Sequence, residues 1–190
     1  SLAPFKEFPI PFDLEFISGS LTALDYLLKE SNDKNVDRIF ETIVAGLDRM
    51  HEHDYKSSES SIKLYLHEKV QRKLELCKSE TKFLKFYDYK EIVFNGISVP
   101  SLSARLESYC ELMTKFYTYN KECYVHGNIT LENILYIPTE HRVVFVDPYE
   151  ENIIDSPLIE YSQLMQSSNG NYERYNASIT KVEDNRINAE

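Results

Sequence analysis

A chain of 190 residues is long enough to bury a sizeable core in one domain or one large lobe, and 42% hydrophobic with 13% aromatic content marks it as folded rather than disordered. A formal net charge of −10 argues against nucleic acid and anionic membranes as partners, since both reward clustered Lys and Arg; it suits a cationic substrate, and it equally suits simple dispersal in water. No apolar run reaches membrane-span length and no signal peptide is visible, and Cys77, Cys110 and Cys123 stand at no metal-binding spacing, so buried free thiols in a reducing, cytoplasmic compartment are expected.

Taken in order, Phe5 to Phe16 is aromatic and broken by prolines, and Asp13 to Ile17 reads as a short strand. Ser18-Gly19-Ser20 interrupts it, with Ser20 placed to cap a helix carrying Leu21, Leu24, Leu27 and Leu28 on one face. Val36, Ile39, Phe40, Ile43, Val44, Leu47 and Met50 keep a three-four spacing that predicts an amphipathic helix capped at Asn35. His51 and His53 follow it; two residues apart, they point in different directions on a helix, so a solvated helix end is expected there rather than a metal site. A polar linker at Lys56 to Ser61 precedes a helix predicted over Ile62 to Cys77, with Ile62, Tyr65, Leu66, Val70 and Leu74 inward. Phe83 to Val99 is aromatic and mixed. Pro100 and Ser101 then open a helix whose buried stripe is expected to be Leu102, Leu106, Tyr109, Met113 and Phe116.

The chemistry concentrates between Cys123 and Pro148. Two β-prone runs, Ile134 to Ile137 and Arg142 to Val146, flank Pro138-Thr-Glu-His141, a turn-like spacer that opens with proline. Folded as an antiparallel hairpin, Ile137 faces Arg142 and Asn133 faces Val146. Asn133 and Asp147 then emerge side by side at the open end, next to the His126-Gly127-Asn128 turn. Two converging oxygen-bearing side chains are what a hard cation such as Mg2+ asks for.

His126-Gly127-Asn128, then Asn133, a short hairpin and Asp147 resembles the catalytic loop and metal-binding Asp of kinase-like small-molecule phosphotransferases, the aminoglycoside phosphotransferase and choline kinase group. The family pattern is His-Gly-Asp, an Asn five residues later, and a strand ending in Asp; here Asn128 stands where the family carries its catalytic Asp. The resemblance implies an α+β, mostly helical fold, the carboxyl-terminal lobe of a protein-kinase-like molecule with a short catalytic hairpin. It implies catalytic roles around Asn128, His126, Asn133 and Asp147, with Asn133 and Asp147 as metal ligands and His126 as a scaffold whose ring hydrogen-bonds to fix the loop. Glu15 to Gly19 is similar to the family hinge, where backbone groups such as those of Glu15 and Ile17 meet the adenine of ATP. The chain then divides into a residual strand and hinge at 1–17, a helical lobe at 18–166 with an acceptor-site insert about 56–100, and a peripheral tail at 167–190. Tyr87, Asp88, Tyr89 and Glu91 in the insert either box a cationic group or form ordinary aromatic core. Asp155 and Glu160 are the nearest matches to a family segment that ties a core helix to the catalytic loop.

No Gly-rich phosphate-covering loop or Lys-bearing strand precedes the hinge, so the family's amino-terminal lobe is expected to be missing, or supplied by a larger parent chain. The expected cofactors are ATP and Mg2+, and the expected partner is a small-molecule hydroxyl acceptor such as an amino-sugar, sugar or choline. Asn128 can accept a hydrogen bond but cannot take up a proton at neutral pH, so a phosphotransferase weakened at this position is one expectation and a non-catalytic kinase-like binding module the other. An unrelated helical domain whose hairpin mimics the motif is the third.

Overall fold

The computed structural model describes residues 16–52, 54–55, 59–79, 87, 89–117, 122–149, 151–170, 172–173 and 180–189. Its longest element, helix α2 (Asp33–Met50), buries Ile39, Ile43 and Leu47 completely, as four-residue spacing on one face requires, while Val44 at the stripe's edge is exposed. Its cap is Asn32, whose side chain accepts from the Lys34 N–H at 3.0 Å. Asn35, the expected cap, sits inside the first turn and gives its amide to Glu30 at 2.9 Å.

Upstream, strand β1 (Leu21–Thr22) and helix α1 (Ala23–Lys29) take the place of a helix capped at Ser20. Thr22 is the cap, accepting from the Asp25 N–H at 3.0 Å, while Ser20 donates its hydroxyl to the Ile17 carbonyl at 2.8 Å and closes a turn. Ala23 is buried and Leu24 and Leu27 pack against the core, whereas Leu21 and Leu28 are exposed. Phe16 and Ile17 belong to no strand, and the remainder of the expected first strand, Glu15 included, lies outside the described residues.

Strand β1 pairs antiparallel with β6 (Ile134–Ile137), which pairs antiparallel with β7 (Arg142–Phe145). The register is the expected one: Ile137 opposite Arg142 and Ile134 opposite Phe145, with the Val146 N–H donating to the Asn133 carbonyl at 3.0 Å beyond the last pair. The sheet rests on α1 and α2, and Ala23, Ile39, Ile43, Leu47, Ile134 and Tyr136 share one core with Ile129, Leu131 and Leu164. The hairpin tip is tied to the same helix. Arg38 donates from Nη1 to His141 Nε2 at 3.3 Å, and the other ring nitrogen of His141 meets the Tyr136 hydroxyl at 3.0 Å.

A second core of Ile62, Leu66, Tyr117 and Ile154 joins three more helical elements. Helix α3 (Glu59–Tyr65), a π-helical turn (Leu66–Gln71) and helix α4 (Arg72–Lys78) run on from one another; Ile62, Leu66 and Leu74 are buried and Tyr65 and Val70 half-buried, all as expected. Helix α5 (Leu102–Tyr117) departs from its expected face: Leu102, Tyr109 and Phe116 are 47%, 53% and 56% exposed. Of the expected stripe Leu106 and Met113 are half-buried, and Met113 packs on the second core together with Cys110 and Tyr117. Helix α6 (Pro157–Ser168), capped by Ser156, lies under residues 126–133 and contributes to both cores through Leu164 and Ile159.

Two further sheets complete the chain. Strand β2 (Asp54–Tyr55) pairs with β5 (Glu122–Cys123). Strands β3 (Glu91–Phe94) and β4 (Ile97–Pro100) form a hairpin around Asn95 and Gly96, whose φ values of 46° and 84° are what a two-residue hairpin turn demands. The segment expected to be a peripheral tail returns to this hairpin. Strand β8 (Thr180–Glu183) pairs with β9 (Arg186–Ala189), and β9 runs parallel to β3. Pairing across some ninety residues of sequence leaves no local signature. The whole is α+β, with helix predominating. No helix among the described residues is long and apolar enough to cross a membrane. Cys123 is buried, Cys110 half-buried and Cys77, contrary to expectation, exposed.

Gly46 sits where helix α2 meets the hairpin: a Cβ there would stand 3.0 Å from Phe145 Cζ and 3.3 Å from Val143 Cγ2. Gly46→Val is expected to destabilise the fold by about 1–3 kcal/mol through overpacking, while Gly46→Ala gains helix propensity and loses it again to crowding. Urea midpoints of the two variants check this ordering.

Candidate active site

Residues 126–133 carry little regular structure: a turn, then one turn of 3-10 helix at Leu131–Asn133. Such a segment has few backbone partners of its own, and unpaired buried N–H and C=O groups are costly. One face of helix α6 supplies them. Glu160, fully buried, accepts from the His126 N–H at 2.5 Å and the Gly127 N–H at 2.9 Å through one carboxyl oxygen. Gln163, one turn on, donates to the Gly127 carbonyl at 3.0 Å and accepts from the Ile129 N–H at 3.2 Å. Ser167, another turn on, accepts from the Leu131 N–H at 2.8 Å and donates its hydroxyl to Glu173. Positions 160, 163 and 167 lie on one face at helical spacing, so a single rigid element dictates the path of the loop.

The second oxygen of Glu160 meets His51 Nε2 at 2.6 Å. His51 is therefore not a solvated helix end; its side chain is 9% exposed, closing the end of α2 against α6. Tyr161 stands edge-on to it, ring centroids 5.7 Å apart, and donates its hydroxyl to Asp48 at 2.6 Å. Burial first, and then the hydrogen bond to the Asp48 carboxylate, push the Tyr161 phenol up to about 12. His53 lies outside the described residues.

His126 is 5% exposed, its ring edge-on to Phe145 with centroids 6.1 Å apart. Among the described residues neither ring nitrogen meets a hydrogen-bond partner. The loop backbone is fastened by Glu160, Gln163 and Ser167, with the His126 ring packed beside the Val146 backbone. Burial lowers its pKa, partly offset by the Glu160 carboxyl nearby. Gly127 has a φ of 76°, a conformation that glycine adopts without penalty, and a Cβ would collide with the Asn152 side-chain amide.

Asn128, Asn133 and Asp147 are brought together, with Asn128 at the centre. Asn133 donates its amide to the Asn128 carbonyl at 3.0 Å. Asn128 donates its own to the Asp147 carbonyl at 3.3 Å and to Asp147 Oδ2 at 3.4 Å. Asp147 is exposed and holds a left-handed φ of 59°, a conformation that Asp tolerates better than most residues and that turns the chain sharply as it leaves the hairpin. Because Asn133 has committed its nitrogen inward, its Oδ1 is the atom left for a cation, and the Asp147 carboxylate stands on the solvent side. A hard divalent ion can use that pair. Among the described residues no group of three or more His, Cys, Asp or Glu could hold a metal, so a cation at this pair would need further oxygens from substrate and water to complete its shell.

Glu15 lies outside the described residues, and the Ile17 carbonyl is engaged by Ser20. Of the residues expected in the insert, Tyr87 has its ring face covered by Lys78 Nζ at 4.3 Å, so that face serves a cation of the protein's own. Sequence reasoning read His51 as a solvated helix end and passed over Gln163 and Ser167. The one available signal was the polar 160-163-167 stripe beside Leu164 on a helix that otherwise reads as core. Comparison with known proteins finds no family model matching the sequence, and no matching curated protein or solved structure.

Two predictions follow from the geometry of the loop. Glu160→Ala leaves two loop N–H groups and His51 unpaired in the interior and is expected to destabilise by about 3–5 kcal/mol, as removal of one partner of a buried pair does; Glu160→Gln, which keeps an acceptor, is expected to lose less, and chemical denaturation separates them. His126, with its folded pKa below the unfolded value, binds its proton more readily once unfolded. Stability is therefore present above about pH 6.5, the unfolded value, and lost as pH falls below it, and His126→Leu should flatten that decline in urea midpoints measured between about pH 7.5 and 5.5.

Proposed function

We propose that this chain is a kinase-like phosphotransferase lobe that moves the γ-phosphoryl group of ATP to the hydroxyl of a small molecule, with Mg2+ held by Asn133 and Asp147. The observation that carries the reading is the arrangement around Asn128: a catalytic-type loop fastened by the buried Glu160, an Asn with its nitrogen turned in, and an exposed Asp at the end of the hairpin. When bound, Mg2+ neutralises charge on the β- and γ-phosphate oxygens of ATP, which is most of what phosphoryl transfer requires. Asn133 Oδ1 and the Asp147 carboxylate hold the ion from the protein side. Asn128, its nitrogen on Asp147, has its side-chain oxygen to accept from the acceptor hydroxyl and so orient it. The bond from the γ-phosphorus to ADP breaks as the bond to the acceptor oxygen forms, and the hydroxyl proton leaves to solvent, since an amide cannot take it.

The absence of a general base at 128 is worth ~10²–10⁴-fold in rate, and the same residue supports a second reading. Asn128 ties the loop to Asp147 through its amide, and a structural tie where the family keeps an acid is what a non-catalytic nucleotide-binding or regulatory module would retain.

Asn128→Asp discriminates the two. Without a cation, the new carboxylate would face Asp147 and lose the amide donor, so the variant is expected to lose about 1 kcal/mol and to recover it as Mg2+ and ATP are added. Under the phosphotransferase reading it also gains turnover on a panel of alcohols, and Asp147→Asn abolishes both effects. Nucleotide-dependent stabilisation without turnover in either protein leaves the binding-module reading, and no response to Mg2+ and ATP in thermal unfolding removes both.

A further inference from the structure

Beside the loop lies a cavity of about 130 Å³. Liquid water occupies ~30 Å³ per molecule, so the cavity has room for a group of a few heavy atoms, such as a carboxylate or a phosphate. Its position is set by backbone bonds. The Tyr149 N–H donates to the His126 carbonyl at 2.9 Å, folding the segment after Asp147 back along the loop, and Asn152 donates its amide to the Tyr149 carbonyl at 2.9 Å. Gly127, Tyr149, Asn152 and Gln163 thus wall a space that adjoins the residue before Asn128 and the residue two beyond Asp147.

The remaining wall carries a cation. Lys69, half-buried, donates to the Tyr149 hydroxyl at 3.4 Å and lies 4.9 Å from the centre of its ring. It is carried on the π-helical turn Leu66–Gln71, a conformation that is rare and recurs at functional sites. The turn accommodates an extra residue, so Leu66 and Leu74 both reach the core side, with Lys69 and Tyr65 lining the cavity between them. In a chain of net charge −10, an ammonium beside a phenol hydroxyl and a side-chain amide is a donor set for an anion. Asn128 works in the same direction, because an uncharged amide replaces the carboxylate that would repel one.

We propose that this cavity is the subsite for an acidic group of the acceptor, so that the molecule phosphorylated is an anionic alcohol, a hydroxy acid or an alcohol already bearing a phosphate, held by Lys69 with Tyr149 and Asn152. Its role as an acceptor subsite rests on the phosphotransferase reading; its capacity for an anion does not. The acidic surface of the chain had pointed toward a cationic substrate, and the charge lining the loop points the other way.

Isothermal titration of the protein with glycerate, glycerol 3-phosphate and glycerol tests it, alongside a separate titration with Mg2+ and a non-hydrolysable ATP analogue. The acidic probes are expected to bind and glycerol not to. Lys69→Met is expected to weaken the acidic probes about tenfold or more, the scale of a lost charge-assisted hydrogen bond, with Lys69→Arg restoring much of the affinity and nucleotide binding unchanged throughout. Preference between glycerate and glycerol 3-phosphate assigns the carboxylate or the phosphate. Equal binding of all three, no binding of the acidic probes, or no effect of Lys69→Met overturns the proposal whatever the nucleotide does. Lys69-dependent anion binding without nucleotide binding keeps the subsite and overturns its role in phosphoryl transfer.

Discussion

Everything at the site depends on a buried glutamate side chain with three partners. Glu160 is fully enclosed, and its two oxygens are met by two loop N–H groups and by His51 at distances of 2.5, 2.9 and 2.6 Å. A carboxyl group in the interior is tolerable only when its hydrogen-bonding capacity is met, and the groups that meet it come from two parts of the chain remote from its own helix. The consequence is a junction: α2 through His51, α6 through Glu160 itself, and the loop through His126 and Gly127. None of the three can shift without unpairing a buried polar group, which is the kind of constraint that gives an irregular segment one conformation.

The apolar part of the structure works to the same end. The first core puts Ile129 and Leu131, from the loop and its 3-10 turn, among Ile39, Ile43 and Leu47 of α2. Leu164, between Gln163 and Ser167, anchors the third element. The loop is thus held by alternation: backbone polar groups on the α6 stripe, side chains in the α2 core. What remains free of both are the side chains of Asn128, Asn133 and Asp147, whose amides bond to the Asn128 and Asp147 carbonyls and to the Asp147 carboxylate. The fold immobilises the backbone and leaves the polar tips facing outward, as a site that must present oxygens in fixed positions requires.

How much of this was legible depended on the range of the interaction. The hairpin was read to the residue, register included, because alternation and a proline-led turn are local features; the inward face of Ile62 to Leu74 was read for the same reason. The caps at Ser20 and Asn35 were misplaced by two and three residues, since Ser, Thr and Asn compete for the position and tertiary packing decides among them. The exposed face of α5 could not be distinguished from a buried one by periodicity alone: Leu102, Tyr109 and Phe116 repeat as a core stripe does. His51 and Glu160, separated by 109 positions, could not be paired by any local rule, and neither could β3 and β9. The grouping of Asn128, Asn133 and Asp147 needed only the hairpin, and so it was accessible; the device that steadies it was not.

The electrostatics around the loop differ from those of the whole chain. With a net charge of −10, the surface as a whole would repel an anion at long range, but that field is screened within about 8–10 Å at physiological salt. What acts on a bound group is the nearest charge, and beside the loop that is Lys69, drawn over the Tyr149 ring by a turn of unusual helix. Asp147 is an exposed carboxylate, and a divalent cation bound there, as proposed, would reverse its sign toward anything bound next to it. Asn128 contributes no charge to either side. Lys69 and Asp147 thus set charges of opposite sign on the two sides of the loop with a neutral amide at Asn128 between them, and under the proposed phosphoryl transfer to an acidic alcohol the repulsion between two negatively charged groups is the first obstacle such an arrangement would have to overcome.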